Sequence, residues 1–398
     1  MRKKKVLFVI NNLSAGGAEK ALVSLLHEWD YSRYDVDLLL FSHSGLFLDQ
    51  VPNTVRLLPE PKVFRFFDMP ITQVVRHALT HFDFGPLWAR LRMKKALRGS
   101  YPATVREQLT WPYIAPVIPA LDEPYDAAIA YLQKTPIYYI IEKVHAPVKI
   151  GFIHNDYQHL QLRADFDRPY FEQLQVLASI SESCVHILKE TFPDLSLRIH
   201  LKYNMISKSM IQRLAEAPIT EEFDGHTVLS IGRLQSQKAF DQAIESCALL
   251  VAKGYRFRWY IIGEGPDRPL LEEKIKAYGL EQIFILLGLR ANPYPYLQKA
   301  TLYAQPSRYE GKSIAIDEAK VLGKPIVVTH YPSATDQITH GVNGLIAEMS
   351  PEAVATTIAQ LLDDAALRSQ LTENLRQEAA VGKEELTKLY HWIETATL

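Results

Sequence analysis

The chain has 398 residues, 47% of them hydrophobic and 22% charged, with 44 Lys and Arg against 45 Asp and Glu for a formal charge of −1. That length exceeds what one core usually supports, so two domains are expected, and the near-neutral charge excludes a nucleic-acid binder that works by bulk charge. Cys184 and Cys247 fit neither a zinc spacing nor a disulfide framework, which favours a reducing compartment and a cytoplasmic location.

The N-terminal "MRKKKVLFVI" has the basic start of an export signal, but Asn11-Asn12 ends its apolar run too early. No stretch approaches the roughly 18 apolar residues of a membrane span. "KVLFVINNL" (residues 5–13) reads as a buried strand, Gly16-Gly17 as a turn, residues 18–29 as a helix and "YDVDLLLF" as a second strand. This alternation predicts a parallel sheet with helices on its faces. "YDAAIAYL", "VKIGFIH" and "QVLASIS" continue the same sheet, after a mostly helical insertion at about residues 61–124. A second strand–helix series starts near Thr227 with "TVLSIGRL", "FRWYIIGEGP", "FILLGL", "LYAQPS" and "PIVVTHY". The two α/β units join within residues 204–225, and "EELTKLYHWIETATL" closes the chain as a helix.

Open α/β domains bind ligands outside the carboxyl ends of their strands, so the residues just after strands are the candidates. Gly16 and Gly17 follow the first strand and allow close backbone approach, although a plain tight turn accounts for them equally well. Arg233 and Lys238 follow "VLSIG", where two cations suit a diphosphate; the alternative is a pair of solvated surface cations. Glu264-Gly265-Pro266 follows "WYIIG" as a turn. His154 ends "GFIH", and a structural role fits it as well as a functional one.

The densest stretch is "PSRYEGKSIAIDEAKVLGKPIVVT" (residues 306–329). Gly311 permits a tight turn, Ser313 is the candidate cap of a helix to Leu322, and the amides of residues 312–314 open that helix toward an anion. Glu310 and Glu318 cannot hold phosphate, but they accept from hydroxyls. A ligand with a phosphate centre and hydroxyls on both sides, such as a nucleotide sugar, satisfies all of them at once. Two Asp-x-Asp triplets, Asp35–Asp37 and Asp165–Asp167, lie at a strand start and in a polar loop, and no ligand cluster for a metal stands elsewhere in the sequence.

Together these residues resemble the retaining glycosyltransferases of family 4, which have the GT-B fold. The likeness rests on "GGAEKALVSLL", "IGFIHND", "SIGRLQSQKAFDQAI", "IIGEGP", "NPYPYLQKA" and the Glu-x7-Glu spacing of Glu310 and Glu318. The resemblance implies two Rossmann-like domains facing across a cleft. Residues 1–205 would bind the acceptor, completed by residues 384–398 through a final helix that crosses back; residues 206–383 would bind the nucleotide sugar. Arg233 and Lys238 match the pair that holds the donor diphosphate. Glu310 would meet hydroxyls of the transferred sugar, Glu318 the ribose, and His154 would lie beside the sugar. Gly16, Gly17, Gly265, Gly311, Lys312, Ser313 and Ile314 would line the donor site. Ala239 stands where glycine commonly follows the lysine, Lys312-Ser313 replaces a smaller or more apolar pair, and Thr301 stands where an aspartate is frequent.

The expected activity is retaining transfer from a nucleotide diphosphate sugar, a UDP-sugar first among them, to a lipid-linked or polymeric cell-envelope glycan, with no metal or other cofactor. The alternatives are a non-catalytic transferase-like partner subunit or another GT-B enzyme such as a nucleotide-sugar epimerase; the retained charges at 233, 238, 310 and 318 argue against a silent partner. Residues 62–106 hold nine Lys and Arg against Asp68 and Asp83, a net of +7, interleaved with aromatics. That pattern suits an anionic membrane surface, giving a peripheral location on the inner face of the cell membrane; a solvated basic face over buried aromatics is the alternative. No nucleic-acid partner is expected.

Overall fold

The computed structural model describes residues 2–14, 16–97, 99, 101–221, 223, 225–310, 312–378 and 383–395. The chain divides into two compact units, residues 1–205 with 382–398, and residues 206–381.

The first unit is built on seven strands: β1 (Lys4–Ile10), β2 (Tyr34–Leu40), β3 (Arg56–Leu57), β4 (Ala127–Ala130), β5 (Val148–Ile153), β6 (Val176–Ser179) and β7 (Ile199–Leu201). They pair in the order β3-β2-β1-β4-β5-β6-β7, and every pairing is parallel. Parallel strands need crossovers, which put helices on both faces, so β1 is buried continuously from Val6 to Ile10 rather than on alternate residues. The helix after β1 runs Gly17–His27. β3 and β7 are edge strands of two and three residues, too short to stand out in the sequence.

The segment between β3 and β4 is helical, chiefly Ile71–His81, Gly85–Ala96 and Ala103–Ile114. Its anchor is Trp111, fully buried in the unit's core, whose Nε1 donates to Glu142 Oε1 at 2.9 Å. The closing helix Lys383–Thr395 packs on this same unit. Tyr390 stacks on Tyr34 with centroids 4.9 Å apart, and its hydroxyl accepts the Asp30 amide at 2.7 Å. Arg33 pairs with Glu394, which also accepts from the Tyr34 hydroxyl at 2.7 Å.

The second unit carries β8 (His226–Ile231), β9 (Phe257–Ile262), β10 (Phe284–Gly288), β11 (Leu302–Gln305), β12 (Ile326–Thr329) and β13 (Leu345–Ala347), all parallel, in the order β10-β9-β8-β11-β12-β13. Successive side chains alternate between its faces. Val228, Trp259 and Ile261 join one core, while Leu229, Tyr260 and Ile262 join the other. The joining segment is more ordered than a linker. It contains the helix Lys208–Ala215, capped by Ser207, whose hydroxyl accepts the Met210 amide at 3.1 Å, and it buries Met210 and Ile211. Among the described residues no helix is long and apolar enough to cross a membrane.

Candidate active site

In each sheet the strand order reverses at one point, between β1 and β4 in the first unit and between β8 and β11 in the second. Loops leaving the carboxyl ends of the strands that flank such a point diverge and open a binding crevice. The Gly16-Gly17 loop follows β1, and the loops bearing Arg233, Lys238 and Glu310 follow β8 and β11. The sequence-selected residues therefore fall at the two switch points, with His154 one strand further along, at the end of β5.

In the second unit Lys238 Nζ lies 2.6 Å from Glu310 Oε1. Both side chains are largely buried, and Ser307 Oγ donates to the same oxygen at 2.6 Å. Gln237 Nε2 reaches Glu310 Oε2 at 3.3 Å and the Tyr309 carbonyl at 3.0 Å, and Ser333 Oγ donates to the Glu310 carbonyl at 2.8 Å. Burying a charged group is costly unless it is paired and hydrogen-bonded, and the Glu310 carboxylate is both. The sequence reading separates lysine and glutamate between the diphosphate and the sugar; the structure brings them into direct contact. Arg233, by contrast, is exposed and makes no side-chain hydrogen bond or ion pair among the described residues.

The loop bearing these cations is tied on both sides. Leu234 N donates to the Glu264 carbonyl at 3.0 Å and Asp267 N to the Leu234 carbonyl at 3.1 Å, while Arg308 N donates to the Gln237 carbonyl at 2.8 Å. A Cβ on Gly265 would sit 2.2 Å from the Leu234 oxygen, so backbone packing between two loops already demands that glycine. Ala239 has φ 51° and is fully buried, which accounts for glycine being common at that place in the pattern.

The helix after Glu310 is Ile314–Val321, and Ser313 stands at its cap position without capping it. Ser313 N donates to Gln337 Oε1 at 2.8 Å, Gln337 Nε2 returns a bond to the Ser313 carbonyl at 2.9 Å, and the Ser313 hydroxyl donates to Gln305 Oε1 at 2.8 Å. The expected cap and the expected anion-binding amide at Ser313 are thus both taken by glutamines, and Ile314 is the first residue whose amide the helix leaves open to an anion. Lys312 is half-buried and its charge acts on Asp317, whose carboxyl is raised above its ordinary range chiefly by burial. Gly311 lies outside the described residues. Glu318 is buried and accepts from the Tyr294 hydroxyl at 2.9 Å.

In the first unit Gly16 caps the helix Gly17–His27. His154 is buried, and its ring nitrogens have no hydrogen bond of ordinary geometry among the described residues, only a weaker interaction with the Tyr131 backbone. Burial, and secondly the charge of Lys202, depress its pKa to about 3, so its ring is neutral at ordinary pH. Lys202 follows β7, is itself buried, and is depressed by that burial to about 8. Tyr294, Gln237, Gln337, Ser307, Ser333 and Lys202 carry much of this geometry. None has a signal in the sequence beyond Tyr294's place in "NPYPY", because neutral partners and a lone lysine do not mark themselves.

Both Asp-x-Asp triplets are occupied by protein partners. Asp37 receives both Arg56 Nε at 2.8 Å and Arg56 Nη2 at 2.5 Å, with the Tyr125 hydroxyl at 2.8 Å. The second triplet lies in the helix Ala164–Phe171 rather than a loop, where acidic residues in the first turn favour the helix dipole. Asp167 accepts from the Tyr138 and Tyr157 hydroxyls. Among the described residues no group of three or more His, Cys, Asp or Glu could hold a metal ion.

Residues 215–378 match the sequence family of glycosyl transferases group 1. They form a group 1 glycosyl transferase domain. This domain contains Arg233, Lys238, Glu310 and Glu318. An alpha-D-kanosaminyltransferase of Streptomyces kanamyceticus is 32% identical over 155 residues, 38% of this chain and 40% of that protein. A putative colanic acid biosynthesis glycosyltransferase, WcaL, of Salmonella typhimurium is 30% identical over 156 residues, 36% of this chain and 38% of that protein. The matched part spans well under half the length of these curated relatives. Among solved structures, a TarM mutant of S. aureus in complex with fondaparinux, alpha-GlcNAc-glycerol and UDP superposes with a TM-score of 0.68 at 14% identity, covering 98% of this chain and 100% of that one. The group 1 domain thus belongs to a chain with the GT-B fold, two Rossmann-like parallel-sheet domains.

Proposed function

We propose that the chain is a retaining glycosyltransferase that moves a sugar from a UDP-sugar to a lipid-linked or polymeric envelope glycan. The observation that carries this reading is the Lys238–Glu310 contact at the switch point of a group 1 domain. It sets a cation for a diphosphate against a carboxylate for a sugar hydroxyl. UDP in the related TarM structure supports the choice of nucleotide, and the colanic acid relative supports an envelope glycan as acceptor.

As the anomeric C–O bond breaks, the leaving diphosphate takes the electron pair. Arg233, Lys238 and the Ile314 amide meet the growing charge, where preorganised donors act most strongly. An ammonium carries three donors, so Lys238 can keep Glu310 while it binds phosphate. The acceptor hydroxyl attacks from the same face, its oxygen bonds to the anomeric carbon, and its proton passes to the departing phosphate oxygen. With two cations serving the diphosphate, no metal is required in this reading. In the first unit Gly16 and Gly17 allow close approach of a ligand, and the neutral ring of His154 can offer a hydrogen bond to a sugar hydroxyl.

The reading also places the protein on the inner face of an anionic membrane. The helix Ile71–His81 buries Val74 and Ala78 on one side and exposes Ile71, Val75 and Leu79 on the other. Leu79 at 63%, Phe82 at 85% and Trp88 at 61% are exposed near the turn between this helix and Gly85–Ala96, and Arg76, Arg92, Lys94 and Lys95 are exposed along the two helices. Arg90 is not among them, since its guanidinium donates to the Phe66 and Met69 carbonyls. Arg98 and the side chains of Phe67 and Asp68 lie outside the described residues.

Incubating the protein with a panel of nucleotide sugars, with and without lipid-linked acceptors, tests the activity. The expected result is UDP release that rises with acceptor and a product that keeps the donor's anomeric configuration. An inverted product, or no turnover of any nucleotide sugar, would overturn the proposal.

A further inference from the structure

Glu318 belongs to the helix Ile314–Val321 and is 2% exposed, an unusual setting for a carboxylate meant to hold a ligand. A buried carboxylate must be oriented by its neighbours, because its rotation decides which edge a ligand meets. Tyr294 supplies that neighbour. It is 1% exposed, and its hydroxyl donates to Glu318 Oε1 at 2.9 Å.

Tyr294 is itself fixed in place. It opens the helix Tyr294–Lys299 between Pro293 and Pro295. Its amide donates to Asn292 Oδ1 at 3.2 Å, and Asn292 Nδ2 donates to the Leu214 carbonyl at 2.7 Å, at the end of the helix Lys208–Ala215. Burial, and next the adjoining Glu318 charge, hold the phenol well above its ordinary pKa, so it remains a donor at every working pH. A charge-assisted bond of this kind is roughly twice as strong as a neutral one.

We propose that Tyr294 is a positioning residue for nucleotide recognition, fixing the Glu318 carboxylate in the orientation that accepts the ribose hydroxyls of the donor. This rests on the reading of the site as a UDP-sugar site. Nothing in the bond depends on the transferred sugar, so the effect falls on the nucleotide alone.

The test is calorimetric titration of the full chain with UDP and with its 2′,3′-dideoxy analogue, for wild type, Tyr294→Phe, Glu318→Ala and the double variant. Tyr294→Phe removes one oxygen from a filled site, and thermal melting establishes that each variant is folded. Wild type should prefer UDP over the dideoxy compound. Tyr294→Phe should lose about 10–150-fold in UDP affinity, the size of a hydrogen bond to a charged group, and lose almost nothing toward the dideoxy compound. Adding Tyr294→Phe to Glu318→Ala should cost nothing further, since coupled residues are not additive. A merely structural tyrosine would weaken both ligands equally, and that result would overturn the proposal. If Glu318→Ala loses the ribose preference and Tyr294→Phe keeps it in full, the positioning role alone is wrong. If wild type shows no ribose preference, the nucleotide reading of the site fails with it.

Discussion

At residue scale the site is built from charges that would be costly alone and are arranged in pairs. Glu310 is held by Lys238, Ser307 and Gln237, and Glu318 by Tyr294. Arg233 stays exposed and unpaired among the described residues, and His154 is a buried neutral ring with no hydrogen bond of ordinary geometry. Its depressed pKa has a stability consequence whose sign follows from linkage. Above pH 6.5 the ring is neutral in both folded and unfolded chains. As pH falls from 6.5 toward 3, the unfolded chain takes up a proton that the folded chain does not, so stability is lost on acidification. Between pH 7 and pH 5 the loss is about 2 kcal/mol for one such group. Denaturant unfolding of the first unit at these two pH values should show the His154→Gln variant less acid-sensitive than wild type by that amount; identical acid sensitivity would mean the histidine charges freely in the fold. Arg233, Lys238 and Glu310 stand out in the sequence because charge just after an apolar strand is conspicuous; Lys202 does not, since the strand before it has only three residues. Gln337, which takes the Ser313 amide, does not either, since it lies 24 residues away and a glutamine is uninformative until folding brings it near.

At the scale of elements, long apolar runs such as Val6–Ile10 and Ile326–Thr329 declared themselves as strands because both faces of each sheet are covered. β3, β7 and β13 escaped notice because two or three residues carry no period. The helix Lys208–Ala215 was concealed in what reads as a polar connection, although Ser207 at its start and the buried pair Met210-Ile211 were available signals. The helices Ile71–His81 and Gly85–Ala96 carry the proposed membrane face. If it meets an anionic membrane as proposed, its cations would each add about 1 kcal/mol of attraction at low salt. Changing Arg92, Lys94 and Lys95 to Gln should therefore reduce sedimentation with phosphatidylglycerol vesicles by roughly 10²-fold in affinity at low ionic strength. Phe82→Ser with Trp88→Ser should weaken what remains at higher salt, where apolar burial is the surviving contribution. Wild-type protein that ignores such vesicles at low salt would leave a soluble acceptor as the better reading.

At the scale of the whole molecule, two parallel sheets have one reversal each, the place where open α/β sheets bind ligands, and strand–helix alternation alone was sufficient to expect both sheets. The proposed function predicts that catalysis proceeds without a divalent metal, because the two Asp-x-Asp triplets are committed to protein partners and, in that proposal, Arg233 and Lys238 serve the diphosphate. Turnover should be unchanged in excess chelator; activity that vanishes there and returns with Mn²⁺ would refute it. The central claim is that the second unit's switch point neutralises a leaving diphosphate, and Arg233 isolates that claim. Because its side chain is exposed and unpaired among the described residues, Arg233→Ala removes no side-chain hydrogen bond or ion pair there. The decisive measurement is kcat/KM of Arg233→Ala beside its melting temperature. We expect kcat/KM to fall by about 10²–10³, the effect of losing one charge-stabilising donor, with melting unchanged. A folded Arg233→Ala protein that turns over its nucleotide sugar at the wild-type rate would contradict the account.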